Sequence, residues 1–246
     1  PNRERVPTEE YQIGERIRCY VKAVENSAHG PEIILSRADP NFVIKLFQLE
    51  VSEISDGTIE VKGIAREPGF RTKLAVHSRD QKVDPVGACV GLRGQRVKNI
   101  VREVGGEKID IVRWNEDPEV YIRSALSPAE LSEIKLNRPA KSAEIFVADY
   151  QLSLAIGKKG QNVRLAARLT GWRIDIRSEA QVAKATLIAA TTGEGEPEHA
   201  DEIMPPVEAV VSAQAPAPIS ISIEDLDESL SADDLPMLEI PDSAME

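Results

Sequence analysis

Val97, Ile100, Val101 and Val104 recur at i, i+3, i+4 and i+7, the spacing of one helix face, and predict a helix over 95–104. Gly105-Gly106 closes it as a C-cap, and a strand follows over 107–113. Upstream, Phe42, Ile44, Leu46, Phe47 and the run from Leu49 to Val51 predict a helix after the N-cap signal Asp39-Pro40. Strands are predicted at 58–66 and 71–78, on either side of the turn signal Pro68-Gly69, and a short helix at 85–90. The order is α-β-β-α-α-β. A second stretch reads the same way: helix 118–126, strands 131–137 and 142–148, helix 150–156, helix 161–170 capped by Gly171, and strand 172–177.

The residues repeat as well as the pattern. Val90-Gly91-Leu92-Arg93-Gly94-Gln95-Arg96-Val97-Lys98 matches Ile156-Gly157-Lys158-Lys159-Gly160-Gln161-Asn162-Val163-Arg164 at an offset of 66. Arg102 falls on Arg168 and Gly105 on Gly171; after one skipped residue, Ile109-Asp110-Ile111 falls on Ile174-Asp175-Ile176. Glu50-Val51-Ser52-Glu53-Ile54 also echoes Glu130-Leu131-Ser132-Glu133-Ile134 at a larger offset. These are two copies of one module.

Each copy sets a Gly-x-x-Gly turn between two helices. Glycine has no Cβ, so a phosphodiester can approach the backbone there. The following helix presents free N–H groups and a positive dipole end to an anion. The middle residues, Leu92-Arg93 and Lys158-Lys159, add positive charge, and Lys98 and Arg164 flank the turns. A lone GxxG often marks only a tight helix–helix turn. Two copies with matched bases favour a phosphate-binding use, with the first turn, carrying only Arg93, the weaker. The isoleucines 109, 111, 174 and 176 are expected to face the core. Asp110 and Asp175, at matching strand positions, suggest a shared structural role.

These turns resemble the GXXG loops of KH domains, which clamp single-stranded RNA or DNA. Two strands before the loop resemble the type II order. The segments 84–91, 105–112, 154–157 and 160–166 are similar to the two KH signatures of the NusA family of bacterial transcription elongation, termination and antitermination factors. Residues 14–21 and 31–37 resemble the last hairpin of that family's S1 domain. The resemblance covers about residues 10–180. The polymerase-binding domain and the first S1 strands have no counterpart here, and a leftover hairpin would expose an open sheet edge.

The resemblance implies an α+β fold: a partial S1/OB-like segment at 1–38 and type II KH domains at 39–115 and 116–179; composition alone assigns an acidic, mostly disordered tail at 180–246. The resemblance also implies a non-enzymatic, monomeric binder of single-stranded nascent RNA. Gly91, Leu92, Arg93, Gly94, Lys98, Gly157, Lys158, Lys159, Gly160 and Arg164 would contact RNA, and the RNA polymerase elongation complex and other transcription factors would be partners. The alternatives are a KH/S1 accessory region of an RNA-processing or ribosomal protein, and a KH-fold protein-binding scaffold.

Charge sharpens this division. The chain has 246 residues and a net charge of −11, but residues 41–178 carry 23 basic against 18 acidic side chains, whereas residues 179–246 carry one against 16. A mildly basic body suits a polyanion. The tail, rich in Gly, Glu, Pro, Ala and Ser from about Thr191, reads as disordered, with an acidic-hydrophobic stretch at 219–238 that could take a partner. A tail competing with RNA for the basic surface would make removal of 191–246 tighten binding. The chain opens on Pro1 rather than Met, which suggests a piece of a longer protein. No apolar run suits a signal peptide or membrane span, and Cys19 and Cys89 form no metal or disulfide pattern, so a cytoplasmic setting is expected. No P-loop, HExxH or GxSxG is present, and neither a cofactor nor a metal is expected.

Overall fold

The computed structural model describes residues 1–27 and 30–181. The expectations for the acidic tail lie outside these residues, apart from the first two positions of its assigned range. Two antiparallel strands come first, β1 (Tyr20–Ser27) and β2 (Gly30–Ser36). The first module then runs α1 (Pro40–Glu50), α2 (Ser52–Ser55), β3 (Ile59–Glu67), β4 (Arg71–Ser78), α3 (Pro85–Val90), α4 (Gln95–Glu103) and β5 (Lys108–Arg113). The second runs α5 (Pro118–Leu126), β6 (Glu133–Asn137), β7 (Ser142–Val147), α6 (Asp149–Ile156), α7 (Gln161–Thr170) and β8 (Arg173–Ser178). Both are α+β, as the periodicities predict, with the short α2 added in the first.

Local chemistry starts three of these helices in one way. Asp39, Asp84 and Asp117 each precede a proline at the first helical position, and each side chain accepts a backbone N–H of the first turn. The aspartate satisfies an orphan donor, and the proline has none to leave unpaired. The modules therefore align from Asp39-Pro40 with Asp117-Pro118. The echo of residues 50–54 in 130–134 does not hold in space: Glu53 and Ile54 lie in α2, whereas Glu133 and Ile134 lie in β6.

Each module holds one three-stranded sheet. β4 pairs antiparallel with β3 and parallel with β5; β7 does the same between β6 and β8. One face of the first sheet, with Ile59, Leu74 and Val76, packs under α1 and α4 around Phe42, Phe47 and Ile100. Cys89 is fully buried in this core, and burial pushes its thiol up to about 12. The opposite face supplies Ala65, Ala75 and Val112 to the core of the second module, beside Tyr121, Ile122, Leu165 and Leu169. Trp114 and Trp172 pack half-buried against that shared core. Ile109, Ile111, Ile174 and Ile176 also pack against the cores while remaining partly accessible.

The paired strands begin later than the segment 14–21 that carries the resemblance: Tyr20 pairs with Ser36 and Ser27 with Gly30, so of residues 14–21 only Tyr20 and Val21 join the ladder. Val21, Val24, Ile33 and Leu35 are exposed, so the hairpin keeps an open apolar surface.

Buried charge anchors this segment to the first module. Arg37 donates to Glu9 at 2.5 and 2.7 Å, to the Arg18 carbonyl at 2.7 Å and to the Glu103 carbonyl at 2.7 Å. Arg66 and Glu107, with fully buried side chains, pair at 2.9 Å, and Arg66 also donates to the carbonyls of Arg37 and Asp39. Such pairs persist only where nearly every donor finds an acceptor, as here.

Candidate nucleic-acid interface

The two Gly-x-x-Gly turns adopt one conformation. Gly91 and Gly157 sit at φ 74°, ψ 174° and φ 75°, ψ 174°. Arg93 and Lys159 sit at φ 54°, ψ 24° and φ 53°, ψ 32°, and Gly94 and Gly160 at φ 74°, ψ 17° and φ 72°, ψ 14°. The first glycine occupies a region open essentially to glycine alone. The central base is held left-handed, a strained state for a residue with a Cβ. Each turn thus sets a cation at its outer bend.

The glycines differ in use. A Cβ on Gly91 would meet Arg96 Cγ at 2.7 Å, and one on Gly157 would meet Asn162 Cβ at 2.8 Å and its backbone nitrogen at 2.9 Å. The first glycine is needed for close packing inside the protein. A Cβ on Gly160 would meet nothing within 4 Å, and one on Gly94 only side-chain carbons at 3.6 Å or more. The second glycine faces open space at the head of the following helix, where an anion can reach the backbone.

The predicted residues come together in two groups. Leu92 is 86% exposed, and Arg93, Lys158 and Lys159 are exposed with no ion pair among the described residues. Lys98 and Arg164 flank the loops by bracing them: Lys98 Nζ donates to the Arg93 carbonyl at 3.2 Å and Arg164 Nη1 to the Lys159 carbonyl at 3.4 Å. Arg164 also pairs with Glu67 of the first module at 2.8 Å. The edge strands β5 and β8 lie beside α3 and α6, so each loop ends a helix–strand seam.

Two supporting residues escape a reading by repeat. Arg96 and Asn162 match in position but not in type. Arg96 donates to the Ala88 carbonyl at 2.8 Å and pairs with Glu53; Asn162 Nδ2 reaches the carbonyls of Ala155 and Leu154 at 3.0 and 3.4 Å. Both satisfy carbonyls at the end of the helix before the loop. Only the coincidence of position, five residues after the first glycine, could have signalled this. Asp110 and Asp175 do not share a role: Asp110 pairs with Arg71 and buried Lys73, Asp175 with exposed Arg177.

A duplicated α-β-β-α-α-β module with a glycine-framed cationic loop at its helix–helix turn defines a tandem KH protein. Family models agree: residues 37–114 match the NusA-like first KH domain and residues 118–184 the NusA-like second KH domain. The chain is 52% identical over 188 residues to the transcription termination/antitermination protein NusA of Halalkalibacterium halodurans, covering 76% of this chain and 49% of that protein. It is 52% identical to that of Bacillus subtilis over 73% of this chain and 48% of that protein, and 50% identical to that of Thermus thermophilus over 71% and 45%. The chain belongs to the NusA family, and it spans about half the length of these curated relatives.

Proposed function

We propose that the chain is the RNA-binding part of a cytoplasmic bacterial transcription factor. It binds single-stranded nascent RNA without catalysing a reaction and acts as a monomer on the RNA polymerase elongation complex with other transcription factors. By holding emerging RNA it contributes to pausing, termination and antitermination. The observation that carries this reading is the duplicated loop, with Arg93 and Lys159 held left-handed so that a cation projects beside an accessible second glycine. Phosphates sit on the backbone of Gly91–Gly94 and Gly157–Gly160, with Leu92 and Lys158 beside them and Lys98 and Arg164 flanking. Relatives named as transcription termination/antitermination proteins support the wider role. Among the described residues, no helix is long and apolar enough to cross a membrane.

The test is a titration of labelled, unstructured single-stranded RNA at several salt concentrations, with a Lys158→Asp/Lys159→Asp variant beside it. Neutralising about four phosphates gives a slope of log K against log salt near −3, at ~0.7 per contact. The variant is expected to lose most of this binding. A folded wild-type chain that does not bind RNA sinks the reading and leaves a protein-binding scaffold.

A further inference from the structure

Arg164 is exposed on α7 yet engaged twice. Its Nη1 donates to the Lys159 carbonyl, and its Nε donates to Glu67 Oε1 at 2.8 Å. Glu67 is the last residue of β3, in the other module, and its Oε2 accepts Gln161 Nε2 at 2.7 Å. One carboxylate from the first KH domain therefore holds the first and fourth residues of the helix that leaves the second GXXG loop. Burial opposes ionisation of Glu67, but Arg164 and Gln161 outweigh it and hold the carboxyl below its usual range.

The first loop shows what this carboxylate is not needed for. Lys98 braces the Arg93 carbonyl at 3.2 Å and has no carboxylate partner among the described residues. A base at this position supports its loop unaided. What Glu67 adds is charge. The second loop gathers Lys158, Lys159 and Arg164 against Glu67, and the first gathers Arg93 and Lys98, with Arg96 offset by Glu53. Each loop is left with two net positive charges, although the second has the more basic sequence.

We propose that Glu67 sets the strength of the second loop toward RNA, acting across the domain boundary as a carboxylate that offsets Arg164 and evens the two loops. This rests on the RNA-binding reading above. Glu67 touches no phosphate; it is a positioning and charge-balancing residue. Replacing it frees one guanidinium for the RNA path.

The experiment compares wild type, Glu67→Gln, Glu67→Asp and Lys158→Asp/Lys159→Asp in the same RNA titration across salt. Glu67→Gln keeps an acceptor for Arg164 but removes the charge. It is expected to bind about two- to five-fold more tightly at low salt, the range of one exposed ion pair. Its salt slope is expected to steepen by ~0.7, one extra phosphate contact. Glu67→Asp keeps the charge and is expected to keep the wild-type slope. A Glu67→Gln chain that binds no more tightly, with an unchanged slope, overturns the proposal and leaves Glu67 as a strut between domains. If wild type itself fails to bind, or the double variant binds as wild type does, the RNA-clamp reading falls and takes this one with it. If both behave and only Glu67→Gln is silent, this inference alone is wrong.

Discussion

The two KH domains share one loop conformation and differ most on the far side of their sheets. Matching Ile111 with Ile176 sets Gly63 against Glu133, Ala65 against Lys135, Ala75 against Phe146 and Val112 against Arg177. In the first domain these four positions are small and apolar and are covered by the second domain: Leu169 Cδ1 and Tyr121 Oη lie 3.5 and 3.7 Å from where a Cβ of Gly63 would be. In the second domain the same face carries charge: Lys135 lies 4.7 Å above the Phe146 ring, and Arg177 pairs with Glu144 and Asp175. A stacked repeat needs an apolar contact face inside the stack and a polar outer face at its end. The two modules keep one loop conformation and differ on their backs.

Exchanging residues across this comparison gives the largest expected effect. Ala65→Lys places in the first domain the residue the second carries there. It buries an unpaired ammonium between the domains and is expected to cost about 3 kcal/mol or more. The reverse-direction change, Lys135→Ala, removes an exposed charge and is expected to cost under about 1 kcal/mol. Urea unfolding followed by fluorescence of Trp114 and Trp172, both packed at this core, reads the two. Equal effects would mean that the domains are not held by this face.

The next comparison lies within the loops. Gly157→Ala forces a Cβ against the backbone nitrogen of Asn162 in a glycine-only conformation, at an expected cost of about 2–4 kcal/mol. Gly91→Ala meets the flexible stem of Arg96 and is expected to cost less. Gly160→Ala and Gly94→Ala carry only the left-handed penalty, about 1 kcal/mol, and should act mainly on RNA binding. Thermal unfolding beside the RNA titration separates the pairs. Stability losses of equal size at Gly157 and Gly160 would remove the distinction between a packing glycine and a binding glycine.

A third contrast concerns the helix ends. Asn162 is 1% exposed and donates to carbonyls at the end of α6, whereas Arg96 is partly exposed and does the same for α3. Asn162→Ala leaves those buried carbonyls unpaired and is expected to cost about 1–3 kcal/mol, more than Arg96→Ala. Denaturant midpoints of the two variants decide the order.

These positions also mark how far the sequence could be read. The module order, both loops and the bases on them are legible because helix and strand periods are local and the glycines recur at a fixed offset. The partner of each sheet's back is not local. No local pattern marks Lys73, Arg66 and Glu107 as buried, yet all three are, since their hydrogen-bond partners come from other strands and from the N-terminal segment. Arg96 and Asn162 were hidden because a shared role does not require a shared residue. Glu67 lies 94 residues from Gln161, so no spacing could link it to the second loop.

The last contrast concerns Lys73, whose counterpart in the second domain is the partly exposed Glu144. Lys73 is fully buried with its ammonium 3.0 Å from Asp110 Oδ2. Burial lowers its pKa below the ordinary 10.5, and Asp110 restores only part of the loss. The folded chain therefore releases this proton at lower pH than the unfolded chain does. Between those two values the unfolded state binds more protons, so this group's contribution to stability rises with pH. Lys73→Met keeps length and removes the charge, while Asp110 retains Arg71 at 2.8 Å. The variant is expected to be roughly 0–2 kcal/mol more stable than wild type near neutral pH. Its advantage should shrink as pH climbs toward 10.5, because wild type sheds the same buried charge. Urea midpoints of both chains from neutral pH upward measure that gap. A gap that widens with pH would mean that the Lys73–Asp110 pair stabilises the domain contact, and that charge on this face is tolerated in the first domain as it is in the second.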